Sequence, residues 1–215
     1  MSLKQSKPGY LQLIVAQLSN SPFFQEYNMA DYEVLGDGTY SVVYACYHRE
    51  TGERRAVKIV SNRVDCSSEL QCLILCQGHE NIIKLFNVYS DKWHTYIVTE
   101  CLYGGELPKG IYSEDAAKLV IGQIASALLF MHKKGITHRD VKPENILVEK
   151  SYNGVPLKVK FIDFGFARYM PTSGTMKARC HSWPYGAPEI LRPDGCGYDS
   201  KVDMWSLGVL MHMML

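Results

Sequence analysis

The stretch His138-Arg139-Asp140-Val141-Lys142-Pro143-Glu144-Asn145 places five ionisable side chains in eight residues. Packing alone does not call for such a density of charge, because charges in a core must be paired or left in water. A solvated turn is the plain alternative, and the downstream sequence argues against it. Asp140 has the chemistry to accept or orient a hydroxyl proton. Asn145 offers an oxygen to a metal ion in the same loop, and Lys142 offers positive charge to a transferring phosphoryl group. An apolar strand over 159–162 then ends in Asp163-Phe164-Gly165, where Asp163 is a second hard oxygen donor suited to Mg2+. Ala187-Pro188-Glu189 closes the segment.

Upstream, β-rich runs at 32–35, 41–48 and 55–60 are broken by Gly36-Asp37-Gly38 and Glu50-Thr51-Gly52, the pattern of an antiparallel meander. Glycines in that first turn let backbone N–H groups approach phosphate oxygens. A two-glycine hairpin is also an ordinary tight turn, and Ser41 stands at the third position of G-x-G-x-x-G, so the dinucleotide-binding pattern fails. Ala56-Val57-Lys58-Ile59 sets one lysine in an apolar strand. If buried, its ammonium needs an anion, either Glu69 or a nucleotide phosphate; on an edge strand it needs none. Ser67 or Ser68 is placed to cap a helix reaching about Cys76, with Leu70, Leu73 and Ile74 on one face. Two further strands are expected near 83–89 and 95–100. After Gly104-Gly105 the period changes: Ser113 caps a helix over 114–134 that Gly135 stops. Ser200-x-x-Asp203 reads as the capping start of a helix over 204–215, apolar nearly all round and therefore expected to be buried. The given sequence stops inside that helix, so the helical half is expected to be incomplete.

The fold class expected is α+β: an antiparallel β lobe over 31–102 and a mainly helical lobe over 103–215, with 1–30 as a linker or leader outside the core. A chain of 215 residues suffices for this, burying roughly 70% of its unfolded surface. With 23 Lys and Arg against 22 Asp and Glu, no basic excess marks a nucleic-acid surface. The apolar stretch 119–131 is interrupted and too short to span a bilayer. Lys4 and Lys7 before 10–18 only faintly imitate a signal peptide, with no A-x-A site after them. Seven cysteines without a C-x-x-C pair point to reduced thiols, hence to nucleus or cytoplasm.

Taken in order, the glycine turn, Ala56-Val57-Lys58, the helical Glu69, the H-R-D loop, Asp163-Phe164-Gly165, Ala187-Pro188-Glu189 and Asp203-x-Trp205-Ser206-x-Gly208 resemble the signature set of eukaryotic protein kinases. The resemblance spans 32–215 and implies a bilobal kinase fold using ATP and Mg2+. It implies that Lys58 contacts the α- and β-phosphates and pairs with Glu69, that Asp140 is the catalytic base, and that Lys142 sits on the γ-phosphate. Asn145 and Asp163 would hold the metal. Gly36, Gly38, Tyr40, Val43, Ala56, Thr99, Glu100, Leu102, Glu106 and Leu147 would line the nucleotide. Lys142 with Gly186 resembles serine/threonine rather than tyrosine kinases.

Ser21-Pro22-Phe23-Phe24-Gln25-x-Tyr27, Gly78-His79-x-Asn81-Ile82, Gly104-Gly105-Glu106-Leu107 and Asp163-Phe164-Gly165-Phe166-Ala167-Arg168 are similar to the C-terminal kinase domains of mitogen- and stress-activated kinases and ribosomal S6 kinases, which are calcium/calmodulin-kinase-like. That likeness implies protein substrates, among them the domain's own linker or an N-terminal kinase domain in a longer parent. It implies no nucleic acid and no membrane. Ala178-Arg179 stands where the family has Thr-Pro, which leaves Thr172, Ser173, Thr175 and Ser182 as phosphate acceptors without a following proline. Pro108-Lys109-Gly110 is shorter than the family's helix there. Completeness of Lys58, Glu69, Asp140, Asn145 and Asp163 favours an active kinase; the expected incompleteness favours the alternative, a silent nucleotide- or protein-binding module.

Overall fold

A computed structural model describes residues 21–29, 33–38, 41–178, 182–191 and 197–215. The chain divides into two compact units, Met1–Asp65 with Leu85–Cys101 and Cys66–Lys84 with Leu102–Leu215.

The first unit is an antiparallel sheet built from β1 (Tyr27–Asn28), β2 (Val34–Asp37), β3 (Ser41–His48), β4 (Arg54–Ser61), β5 (Leu85–Ser90) and β6 (His94–Glu100). The path runs β1-β3-β4-β6-β5, with β2 also on β3. Successive side chains alternate between the faces of a strand. Val57 and Ile59 of β4 are therefore on one face, with Cys46, Tyr96 and Val98, in the unit's core. Ala56 and Lys58 occupy the opposite face.

That core also contains Phe23, Tyr27 and Met29. The expectation of a leader outside the core is thus corrected for 21–29; residues 1–20 lie outside the described residues. A short helix α1 (Phe23–Glu26) presents Phe23, which stacks on Tyr96 at 5.1 Å and Tyr27 at 5.3 Å between ring centroids. The Tyr27 hydroxyl donates to Asn87 Oδ1 at 2.7 Å, so the aromatic ring is buried without leaving its polar tip unpaired. A run of aromatics beside Ser-Asn-Ser-Pro looks like a linker because the sheet face that buries it is contributed by distant strands.

The second unit begins with α2 (Ser67–Leu75) and centres on α3 (Glu114–Lys133). Neither Ser67 nor Ser68 caps α2: the N-cap is Cys66, without a side-chain bond, and Ile74 is 54% exposed while Cys72 and Leu73 are buried. Residues 66–84 belong here rather than to the β lobe. The Ile83 amide donates to Phe161 O at 2.8 Å and the Phe161 amide to Asn81 O at 2.9 Å, stitching the stretch after α2 to β9 (Val155–Phe161). Ser113 caps α3 as expected, accepting from the Ala116 amide at 3.3 Å. Its inner face buries Val120, Ile124, Leu128 and Met131 completely or nearly so, a gain of about 1.5–3 kcal/mol per side chain.

Behind α3 come β7 (Ile136–Thr137), a 3-10 turn (Pro143–Asn145), β8 (Ile146–Tyr152), β9, β10 (Arg168–Tyr169), α4 (Pro188–Leu191) and α5 (Lys201–Met214). β8 pairs with β9, and β7 with β10. No helix forms between Leu107 and Ser113. Gly104 must be glycine, because a Cβ there would stand 2.3 Å from Val148 O.

Two expectations about α5 are corrected. It is buried on one face only: Val202, Asp203, Ser206, Leu207, Leu210 and Met214 turn inward, while Met204, Trp205, Met211 and Met213 are 42–50% exposed. Its Asp203 is not a cap. Its carboxylate is wholly buried, and Ser200 makes no side-chain cap bond.

Phe23→Ala should lower unfolding free energy by about 3–5 kcal/mol in denaturant titration, the range for a large aromatic lost from a core. A change below about 0.5 kcal/mol, typical of surface positions, would return 21–29 to leader status.

Candidate active site

The second unit gathers Asp140, Lys142, Asn145, Asp163 and Glu69. The strand β7 delivers the chain to His138, the loop 138–142 follows, and the 3-10 turn carries Asn145 back towards it. Asp140 is 5% exposed. Its Oδ2 accepts from Asn145 Nδ2 at 2.7 Å and pairs with Lys142 Nζ at 2.8 Å. Its Oδ1 accepts from the Ser182 hydroxyl at 2.6 Å, and Lys142 Nζ donates to that same hydroxyl oxygen at 2.7 Å. One carboxylate is thereby fixed by an amide, an ammonium and a hydroxyl, each charge-assisted. Asn145 Nδ2 also donates to Asp140 O at 2.8 Å.

The Ile162 amide donates to Asn145 O at 3.1 Å, which ties the Asp163 strand end to the loop. Asp163 Oδ1 accepts from the Gly165 amide at 3.0 Å. A Cβ built on Gly165 would stand 3.2 Å from Asp163 Oδ1 and 3.8 Å from Glu69 Oε2, so the Glu69 carboxylate of α2 reaches this turn. Because Asn145 spends its Nδ2 on Asp140, its Oδ1 remains an oxygen donor on the loop tied to the Asp163 strand end. One carboxylate plus one amide oxygen fits Mg2+, which takes few protein ligands and completes its shell with water and phosphate oxygens.

His138 has no exposed surface, and its ring lies 4.7 Å from Phe161 and 5.5 Å from Phe164. Burial pushes its imidazole down, against the opposing pull of Asp203, Asp140 and Asp163. The Asp140 amide donates to His138 Nδ1 at 3.3 Å.

The loop backbone itself is held by Asp203. Its Oδ2 accepts from the His138 amide at 2.9 Å and its Oδ1 from the Arg139 amide at 2.7 Å. His132 Nε2 lies 2.7 Å from Oδ2. Arg139 has φ of 67°, a left-handed conformation that costs a non-glycine residue of order 1–3 kcal/mol and persists only where its surroundings dictate it. Sequence reasoning missed Asp203 as a site residue; one carboxylate within an apolar helix was the available signal. It also took Ser182 for a modification candidate, whereas the hydroxyl is bonded to Asp140.

The remaining predicted residues are in the first unit or at the start of the second. Register places Gly36 opposite Val43, Val43 opposite Lys58, and Ala56 opposite Thr99. Val43, Ala56, Lys58 and Thr99 therefore share one sheet face, the one turned away from the Phe23 cluster. The Gly38 amide donates to Ser41 O at 2.9 Å, closing the glycine turn. Glu100 ends β6 and its carbonyl accepts from Thr99 Oγ1 at 3.3 Å. Leu102 belongs to the second unit, where Glu106 bridges Leu147. Tyr40 lies outside the described residues. Lys58 and Glu69 fall in different units.

Against known proteins, residues 29–215 match the protein kinase domain family. Ribosomal protein S6 kinase alpha-4 of Homo sapiens is 44% identical over 211 residues, 93% of this chain and 27% of that protein. Ribosomal protein S6 kinase alpha-1 of Rattus norvegicus is 40% identical over 191 residues, 85% of this chain and 25% of that protein. The chain thus spans about a quarter of the length of these relatives.

Asp203→Ala would strand two buried amide donors at about 1–3 kcal/mol each. The expected loss of unfolding free energy is about 2–6 kcal/mol, read by denaturant titration. A loss below about 0.5 kcal/mol, the range of surface positions, would mean that the loop does not depend on this carboxylate.

Proposed function

Since the chain belongs to the protein kinase domain family and is of the ribosomal S6 kinase kind, we propose that it transfers the γ-phosphate of ATP to serine and threonine hydroxyls of proteins. The observation that carries this reading is the Asp140 carboxylate, held by Asn145 and Ser182 with the Lys142 ammonium beside it. A fixed base next to a fixed cation suits transfer to a hydroxyl, where positioning and charge neutralisation supply most of the rate.

Protein kinases in general use ATP with Mg2+, the nucleotide supplying the phosphoryl group and the ion shielding its charge. In this chain Asn145 Oδ1 and the Asp163 carboxylate are the oxygens proposed to hold the ion. Asp140 orients the substrate hydroxyl and receives its proton. Lys142 neutralises charge building on the transferred group. Ser182 and Asn145 keep the Asp140 carboxylate from rotating. Lys58, on the sheet face shared with Val43, Ala56 and Thr99, is proposed to bind the nucleotide phosphates, and that face its base. Glu69, whose carboxylate reaches the Asp163 turn, is proposed as a further anionic residue of the site.

By the same likeness, the substrates are proteins in a stress or mitogen signalling pathway, including a linker or second kinase domain of a longer parent. The proposed compartment is nucleus or cytoplasm. Five described cysteines are free, and burial pushes the Cys46 and Cys76 thiols up to about 12, which keeps them protonated and inert.

The test is phosphate transfer from labelled Mg-ATP to serine- and threonine-containing peptides, beside direct nucleotide titration. Asp140→Asn should leave nucleotide affinity nearly intact and cut turnover at least about 10²-fold. Ser182→Ala should cost turnover about tenfold, a smaller effect because Asn145 and Lys142 still hold the carboxylate. Turnover of the Asp140→Asn variant within about twofold of wild type, far short of the loss of a general base, would remove Asp140 from the mechanism. Nucleotide binding with no transfer by the wild type would favour the silent binding module.

A further inference from the structure

Arg139 is 6% exposed, and the acceptors its guanidinium finds among the described residues are neutral. Its Nε donates to Phe166 O at 2.8 Å and its NH1 to the Tyr198 hydroxyl at 2.9 Å. Among the described residues no carboxylate pairs with it. Tyr198, 5% exposed, donates its own hydroxyl proton to Ala178 O. A single buried cation thus grips the segment 166–178 at both ends, directly at Phe166 and through Tyr198 at Ala178. The backbones agree: the Met176 amide donates to Tyr198 O at 2.8 Å and the Tyr198 amide returns to Met176 O at 2.9 Å. The Tyr198 ring is packed with Met176, Ala187, Ile190 and Val202.

Resting on the kinase reading, we propose that the Tyr198 hydroxyl docks the segment following Asp163-Phe164-Gly165 onto Arg139 without any phosphate. A buried guanidinium needs its donors satisfied, and a phosphate group is one way to do so. Here the Tyr198 hydroxyl oxygen and the Phe166 carbonyl each take one guanidinium N–H within the unmodified chain, and the hydroxyl passes the grip on to Ala178 O. The residue at the far end of the grip, Ala178, carries no hydroxyl to modify, and its contribution is a backbone oxygen. Arg139 is next to Asp140 and is pinned through its own amide by Asp203, so docking of the segment and placement of the base share one residue. Tyr198 is a positioning residue that acts through Arg139.

Tyr198→Phe removes the hydroxyl and keeps the ring, which makes it a test of the hydrogen bond and not of the apolar cluster. The readout is amide hydrogen exchange over 170–178 in protein stripped of phosphate by phosphatase, with the α3 amides at 120–131 as the internal control. Phosphatase-treated wild type should keep 170–178 protected. The variant should exchange there at least about tenfold faster, with α3 unchanged. Peptide KM should rise while ATP KM stays put. Loss of protection in the treated wild type would overturn the phosphate-free docking, whatever the variant does. Equal protection in wild type and variant would overturn the role of the hydroxyl. An exchange difference between wild type and variant, in a wild type that transfers no phosphate, would support the docking while refuting the kinase reading.

Discussion

The Asp203 carboxylate, buried inside the second unit, accepts hydrogen bonds from two consecutive amides of the loop before Asp140. A carboxylate removed from water is tolerable only when its lone pairs are filled, and here two amides and His132 fill them. The exchange serves both sides. The left-handed turn at Arg139 has no helix or sheet to satisfy its N–H groups, and Asp203 supplies the missing acceptor. Helix α5 is thereby locked to the loop through its buried face, and the direction in which Asp140 points follows from that lock.

Downstream of it the polar residues depend on one another. Asn145 holds Asp140 through side chain and backbone, and the Asn145 carbonyl holds Ile162, which sets Asp163. His138 packs against Phe161 and Phe164 on the reverse side, an apolar backing that pushes its imidazole towards the neutral form. The Asp140, Asn145 and Asp203 side chains are held because their polar atoms bond to one another and to the loop backbone, and the same low dielectric that strengthens the bonds makes an orphaned member costly. That is why His138, Arg139 and Asp140 of this charged loop can be buried together.

The first unit is organised differently. Its sheet has two faces of unlike character, and register decides which residues occupy each. Lys58 stands opposite Val43 and two places from Ala56, on the face away from Phe23, Tyr27 and Tyr96. The aromatic residues before β2 cover the other face and exclude water from it. The segment that reads as a leader is therefore part of the domain's core, and it frees the Lys58 face from any duty of burying apolar area on that side.

Residue types and their spacing already carry the order of parts: the charged loop, the Asp163 turn, the lysine strand, Ser113 as a helix cap and the α+β class. These are legible because they depend on local residue types, on a period of two or 3.6, and on motifs whose spacing is their meaning. Which charges meet is set by how the chain folds back on itself. Asp203 and Arg139 are 64 residues apart and Ser182 and Asp140 are 42 apart, so their bonds arise from chain folding that no local pattern encodes. The same holds for 21–29, whose burial requires strands contributed by residues far along the chain. A capping Asp and a buried Asp look identical in sequence, and so do a modifiable serine and one bonded to a base. The difference between them is what packs against the side chain, which is a property of the fold.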